Sequence, residues 1–399
     1  MKRYIVTIVL IIVGSGILFY KGRQSYGSDT RAKAFFSELL SKADIKIDGD
    51  RPWDIVVHNS KLYQRILQEG SLGLGESYMD GWWDCNELDT FFYKVFKARL
   101  DNEITKNWSD LFNALLIKLF NYQTKEGSKK VAQEHYDLSN EFFKAMLDKR
   151  MIYSCAYWKA AHTIDQAQEH KLDLICRKLG LKKGMTLLDI GCGWGGLALF
   201  AAKKYGAVVT GVTISREQFD YAQSQKGSLP VTFLLQDYRD CKETYDRIVS
   251  VGMFEHVGAK NYPVFMEVVH RCLHPDGIAL LHTIGANCTA STPDAWIGKY
   301  IFPNSILPSL AQITQTSQDH FIIEDIHNFG ADYDKTLMAW HANFEKAWPR
   351  FEKEYGSRFY RMWRYYLLSC AGLFRARGIQ LWQIILSHNG VKGGYTCVR

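Results

Sequence analysis

Between residues 186 and 283 the chain alternates short apolar runs with amphipathic segments. The runs 186–190, 208–213, 231–236, 247–252 and 278–283 are short, continuous and rich in Val, Ile and Leu, as buried strands are. Segments 197–205, 217–224 and 262–273 lie between them and carry helical spacing. Strand and helix in alternation predict an α/β fold built on a doubly wound parallel sheet. Such sheets bind ligands beyond the carboxyl ends of their strands, near the point where strand order reverses. Asp189, Thr213, Asp237, Glu255 and His282 all fall at or just after those predicted ends.

The same reading continues on both sides. Residues 163–179 form a helix whose apolar positions include Ile164, Ala167, Leu172, Leu174 and Ile175. Residues 284–318 look like an insertion, unusually apolar for a loop because of Trp296, Tyr300, Ile301, Phe302, Ile306 and Leu307. Strands are expected at 321–327 and 379–387, and a helix at 333–347. Segment 358–371 is an amphipathic helix. Phe359, Met362, Trp363, Tyr366, Leu367 and Cys370 share its stripe, and Arg358, Arg361 and Arg364 lie elsewhere. The favoured reading turns the stripe to the core and leaves the arginines solvated; lipid headgroups are their alternative partner.

Residues 31–123 read as a smaller, mostly helical domain, with a short strand near 53–57 and a turn-rich stretch at Gly70, Gly73 and Gly75. Trp82 and Trp83 are read as packing residues. The charged, breaker-rich segment 124–130 marks the boundary, and 124–399 is the larger unit.

Residues 4–20 carry no charge, and as a helix reach about 25 Å, the short end for a membrane span. A single N-terminal anchor is the preferred reading. A signal peptide lacks a clear cleavage site, and a buried core helix lacks amphipathic spacing. Lys2 and Arg3 precede the span, and Lys21, Arg23, Arg31 and Lys33 follow it, which leans toward a cytoplasmic C-terminal side. Residues 1–30 are therefore read as anchor and linker, placing the chain on the cytoplasmic face of an inner membrane.

Composition narrows the class. The chain has 399 residues, of which 47% are hydrophobic, enough for a sizeable core. A net charge of +7 suits an anionic membrane surface; with no lysine-rich tail, no nucleic-acid partner is assigned. Nine cysteines, an odd number with no Cys-x-x-Cys pair, indicate neither a disulfide framework nor a metal site.

The chemistry centres on Asp189-Ile-Gly-Cys-Gly-Trp-Gly-Gly196, where a predicted strand ends in an acid and runs into a glycine turn before a helix. Glycines let a ligand approach the main-chain N–H groups, and the helix start favours a carboxylate. The Asp-x-Gly-x-Gly-x-Gly pattern resembles the S-adenosylmethionine site of class I methyltransferases. The Gly-x-Gly-x-x-Gly spacing of a dinucleotide loop is also satisfied, so the motif alone leaves that rival open.

Longer stretches carry a closer resemblance. Residues 67–83, Glu134-His-Tyr-Asp-Leu138, Tyr153-Ser-Cys-Ala-Tyr-Trp158, the glycine loop, Val251-Gly-Met-Phe-Glu-His-Val-Gly258, Leu281-His-Thr-Ile-Gly285 and Phe329-Gly-Ala-Asp-Tyr-Asp334 occur in the order and spacing of the bacterial cyclopropane-fatty-acyl-phospholipid synthases. The resemblance runs from about Phe35 to the C-terminus. The apolar N-terminus departs from it, which bears on localisation and not on chemistry.

That resemblance implies transfer of a methylene from S-adenosylmethionine to a cis double bond of an unsaturated phospholipid in a bilayer. It implies a bound bicarbonate as proton acceptor, held by Cys155, Glu255, His282, the backbone N–H of Ile284, and Tyr333. Methyl-donor contacts are implied at Tyr153, Ser154, Gly191, Gly193, Thr213, Ile214, Gln218, Asp237 and Tyr238, with Asp189 at the turn. The acid that many class I methyltransferases carry after the second strand is absent; Thr213 and Gln218 stand in its place. A homodimer is one compatible assembly. Two other functions stay open: a lipid C-methyltransferase giving a methyl-branched or methylene product, and a non-catalytic membrane or methyl-donor-binding protein.

Overall fold

The computed structural model describes residues 29–100, 138–289 and 292–399. The apolar N-terminal span and the 124–130 boundary lie outside the described residues. Among the described residues no helix is long and apolar enough to cross a membrane.

The N-terminal part begins with α1 (Asp29–Ser41), followed by β1 (Val56–Val57), α2 (Leu62–Glu69), α3 (Ser71–Met79), β2 (Trp83–Asp84) and α4 (Leu88–Lys97). The stretch at Gly70–Gly75, expected as turns, is mostly helix α3. Its glycines serve close approach instead. A Cβ on Gly73 would lie 2.5 Å from the Arg65 carbonyl oxygen, and one on Gly75 would lie 2.3 Å from the Trp296 ring. Tertiary contact thus outweighs the helix cost of glycine, about 1 kcal/mol each.

Two capped helices follow. In α5 (Asn140–Met146) the Ser139 hydroxyl accepts from Phe142 N at 3.2 Å. In α6 (Ile164–Lys178) Thr163 accepts from Gln166 N at 3.3 Å.

The central sheet takes β3 (Thr186–Ile190), β4 (Val208–Thr213), β5 (Val231–Leu235), β6 (Tyr245–Val251), β7 (Leu273–Ala286), β8 (Ile322–Asn328) and β9 (Ile379–Ser387), in the order β5-β4-β3-β6-β7-β9-β8. The first five strands are parallel, as expected. The sheet as a whole is mixed, because β9 runs antiparallel to both β7 and β8. Helices α7 (Gly196–Tyr205), α8 (Arg216–Gln225) and α9 (Tyr262–Cys272) are interleaved with the parallel strands. The insertion carries α10 (Ala295–Tyr300) and α11 (Leu310–Ser317), and α12 (Ala331–Ala347) and α13 (Glu352–Arg375) link β8 to β9. Those two long helices decide from which end the chain enters β9, a choice invisible in the apolar run itself.

Helix α13 starts six residues earlier than its apolar stripe suggested and is broken at Gly356, where φ is 74°. Its stripe faces inward, with Trp363, Tyr366 and Leu367 buried. The arginines are not free in solvent. Arg358 pairs with Asp80 at 3.1 Å. Arg361 donates to Asp84 Oδ1 at 2.7 Å and to the Trp83 carbonyl at 2.8 Å, with its guanidinium 4.1 Å from the Tyr78 ring centre. Arg364 bonds the Tyr78 hydroxyl and the Asn86 carbonyl. One row of cations therefore fastens the N-terminal helices to α13, beside a core the two share. Trp83 is fully buried there, as the packing reading expected.

Candidate active site

Strand β3 delivers Asp189 to the sheet interior, and the glycine turn then opens a cavity over the ends of β3, β4, β5 and β6. Gly193 adopts φ +55°, and a Cβ there would meet no protein atom within 4 Å. The backbone is therefore bare where it faces the cavity, which is what a ligand lying on the main chain requires. All ten residues expected to contact the methyl donor line this cavity: Tyr153, Ser154, Asp189, Gly191, Gly193, Thr213, Ile214, Gln218, Asp237 and Tyr238.

Several are fixed by local bonds. Thr213 Oγ1 donates to Gln218 Oε1 at 3.0 Å, so the two residues standing in for the missing acid form one unit. Ser215 caps α8 by accepting from Gln218 N at 3.3 Å. Asp237 accepts from Arg239 through Nε and Nη2, both at 2.7 Å. The Tyr153 hydroxyl lies 2.9 Å from that of Tyr366, and its ring packs near Phe143, Phe302 and Trp340. An aromatic wall thus leads from the cavity toward the insertion and α13.

The five residues expected at the anion are not part of the cavity lining; four of them are buried behind it. Glu255 follows β6 in a short 3-10 turn and is 5% exposed. Its Oε1 accepts from Ile284 N at 2.7 Å, while Oε2 has no partner among the described residues. Burial pushes the carboxyl up to about 7, against the opposing pull of the Ile284 N–H. The Ile284 N–H, expected at an anion, here anchors Glu255.

His282 is placed differently from its expectation. It lies inside β7, four residues before its end, because β7 continues along β9 after its pairing with β6 stops at Val251↔His282. Its ring is 1% exposed, Nε2 has no partner among the described residues, and burial holds its pKa well below the usual histidine range. Tyr333, in the first turn of α12, is buried, stacks on Phe374 and is held well above the usual tyrosine range by burial, then by Cys155 and Glu255 nearby. Cys155 is fully buried, donates to the Ala156 carbonyl at 3.3 Å, and is likewise held well above the usual thiol range by burial. The electrostatic coupling of Tyr333 to both Cys155 and Glu255 brings three of the five into one neighbourhood, and Ile284 and His282 join it through β7.

Sequence reasoning missed Lys171, Met253 and His256 in the cavity lining, and Gln383 beside His282. Lys171 left a signal. It falls with Ala167, Leu174 and Lys178 on one buried face of α6, where two lysines stand among apolar residues. Gln383 left none, since it reaches His282 only through strand pairing.

Comparison with known proteins identifies the chain's relatives. The family model described as mycolic acid cyclopropane synthetase matches residues 123–384. The cyclopropane-fatty-acyl-phospholipid synthase of Escherichia coli strain K12 is 56% identical over 363 residues, covering 91% of this chain and 95% of that protein. The sphingolipid C9-methyltransferase A of Emericella nidulans is 30% identical, covering 76% of this chain and 65% of that protein. Among solved structures, mycolic acid cyclopropane synthase CmaA1 complexed with SAH and CTAB superposes with a TM-score of 0.61 at 35% identity, over 65% of this chain and 97% of that one.

Proposed function

The chain belongs to the mycolic acid cyclopropane synthetase family, and from that premise we propose that it transfers a methylene group from S-adenosylmethionine to the cis double bond of an unsaturated phospholipid acyl chain. The observation that carries this reading is one juxtaposition. A cavity with a bare glycine backbone adjoins a buried cluster in which Glu255 Oε2 and His282 Nε2 have no hydrogen-bond partner among the described residues. Electrophilic methylation of an alkene needs both parts. The alkene π electrons attack the sulfonium methyl, and the cation left on the chain must lose a proton from that methyl before the ring closes. Water would capture the cation as an alcohol, so the chamber must exclude it. The aromatic wall of Tyr153, Phe302, Trp340 and Tyr366 supports that exclusion.

Bicarbonate fits the polar cluster. When bound, it would supply a small base able both to donate and to accept. His282 Nε2 and the Tyr333 hydroxyl can donate to such an anion, and Glu255 Oε2 can accept its hydroxyl and hold its orientation. The Ile284 N–H serves that arrangement indirectly, by holding Glu255.

The deciding experiment is expression in a strain that lacks cyclopropane lipids, followed by fatty-acid analysis. Products one CH2 heavier without olefinic protons are expected. A methyl-branched or methylene product would favour the C-methyltransferase reading, which the sphingolipid relative keeps in play. Intact S-adenosylmethionine after incubation with lipid would favour a binding protein. In vitro, bicarbonate-free buffer should lower turnover, and added bicarbonate should restore it.

The apolar residues 4–20 complete the proposal as a membrane tether, which raises effective concentration at the bilayer surface. A chain starting at Ser28 should stay active on vesicles but fractionate as soluble protein; a full-length chain that is already soluble would remove the tether from the reading. Sedimentation would show whether a second copy joins it.

A further inference from the structure

His282, Gln383 and His327 stand in one row across the sheet. His282 on β7 pairs with Gln383 on β9, and Gln383 pairs with His327 on β8. Residues directly opposite on neighbouring antiparallel strands share a face, with Cβ atoms about 5 Å apart. On β7 and β9 the rows to either side along that face are apolar, Leu280 opposite Ile385 and Ile284 opposite Leu381. Gln383 is fully buried, and its Oε1 has no hydrogen-bond partner among the described residues. A buried amide oxygen is costly to leave unbonded, so a donor belongs beside it.

Lys178 gives the row a direction. It is the last residue of α6, is 1% exposed, and its Nζ lies 3.1 Å from Nδ1 of His327. Its ionic partner Asp325 is farther away, at 4.0 Å, and both Asp325 oxygens are bonded by Arg399, at 2.5 and 2.6 Å. The hydrogen bond of Lys178 therefore goes to the imidazole and not to the carboxylate. An ammonium can only donate, so in that form of Lys178 the His327 Nδ1 accepts and the ring proton sits on Nε2. His327 then has one donor left, and the Gln383 Oε1 beside it lacks one. Joined directly or through one water, they turn the amide so that its nitrogen faces His282 Nδ1, 3.2 Å away. Every link then runs one way, from Lys178 through His327 and Gln383, and ends with a donor at His282 Nε2. The charge of Lys178 is felt at that end: after burial and Lys171, it is what holds the His282 pKa down.

We propose that Lys178 and His327 are positioning residues: they fix the Gln383 amide and, through it, keep the His282 proton on Nε2. This rests on the reading of His282 as a donor to the reaction's anion and deepens it, because the tautomer is then set from the edge strand β8, two strands away. Burial lowers His327 to about 4 and Lys178 to about 7. Below pH 7 the row therefore starts with an ammonium beside a neutral ring, as its direction requires.

Nitrogen-15 NMR of the histidine-labelled full chain tests this below pH 7, because it separates ring nitrogens that bear a proton from those that do not. Signals lost in His282→Asn and in His327→Phe assign the two rings. In the wild type both should carry the proton on Nε2, and either ring protonated on Nδ1 overturns the proposal. His327→Phe keeps a ring against Tyr157 and Phe329 but removes the donor. Lys178→Met keeps the stem but removes the charge. Each should move His282 toward the Nδ1–H tautomer and lower turnover about tenfold, the scale of a supporting hydrogen bond. S-adenosylhomocysteine affinity should hold, and Lys178→Arg, which still donates, should keep most of the turnover. Lost turnover with an unmoved His282 signal would mean a merely structural role and overturns the proposal, as do unchanged turnover and signal in His327→Phe. If Lys178→Met does not fold, His327→Phe and the wild-type spectrum decide. A tautomer that moves without loss of turnover, or full turnover in His282→Asn, would instead remove His282 from the chemistry.

Discussion

The side-chain amide nitrogen of Gln383 stands 3.2 Å from Nδ1 of His282, and the two residues face each other in register across β9 and β7. With the amide nitrogen turned to the ring it can only donate, and in that arrangement Nδ1 accepts and the neutral ring carries its proton on Nε2. That Nε2 is the buried nitrogen without a partner among the described residues. In that arrangement Gln383 holds the His282 ring with Nε2 as its donor, the form that the proposed reaction needs at its anion.

Gln383→Glu should therefore impair turnover without impairing methyl-donor binding. A carboxylate would accept from Nδ1–H, move the ring proton and leave Nε2 a lone pair. Turnover should fall ~100-fold, the scale of a misplaced acid–base group. S-adenosylhomocysteine affinity should hold, and Gln383→Met should be less damaging than the acid. An acid variant with full turnover would show that the tautomer is immaterial.

Glu255 allows a test with opposite signs for activity and stability. Its folded pKa of about 7 exceeds the ordinary carboxylate value. The folded state therefore holds a proton that the unfolded state releases. Stability from this group is fully present below the unfolded pKa and is lost as pH rises through about 7. Glu255→Gln keeps an acceptor for Ile284 N but has no charge to bury. Its Tm relative to wild type should climb between pH 5 and pH 8, while turnover collapses and S-adenosylhomocysteine binding persists. A Tm difference that is flat with pH would mean the carboxyl is not strained by burial.

Arg361→Ala should loosen the N-terminal helices from α13. It removes bonds to Asp84 and the Trp83 carbonyl together with the Tyr78 stacking contact. A loss of about 2–3 kcal/mol is expected from the bond to charge and the orphaned carbonyl. Denaturant unfolding measures it, and a variant as stable as wild type would show that the arginine row adds no stability.

Much of this molecule was legible one residue at a time. Apolar runs flanked by glycine and polar breaks located the parallel strands, because a strand buried on both faces must be apolar along its length. The glycine turn and the residues at strand ends located the cavity, because topology forces ligand contacts there. Other features depended on where separate segments meet. The direction of β9 follows from how α12 and α13 carry the chain back to the sheet. Gly73 and Gly75 sit in a helix because Arg65 and Trp296 come against it. The arginines of α13 look solvent-bound in sequence and find their acids at the C-cap of α3 and in β2 only once the chain folds. Gln383 is 101 residues from His282 and becomes its partner solely through register. Local pattern records whether a side chain will be buried; the identity of the group it then meets is set by long-range packing, which no local period encodes.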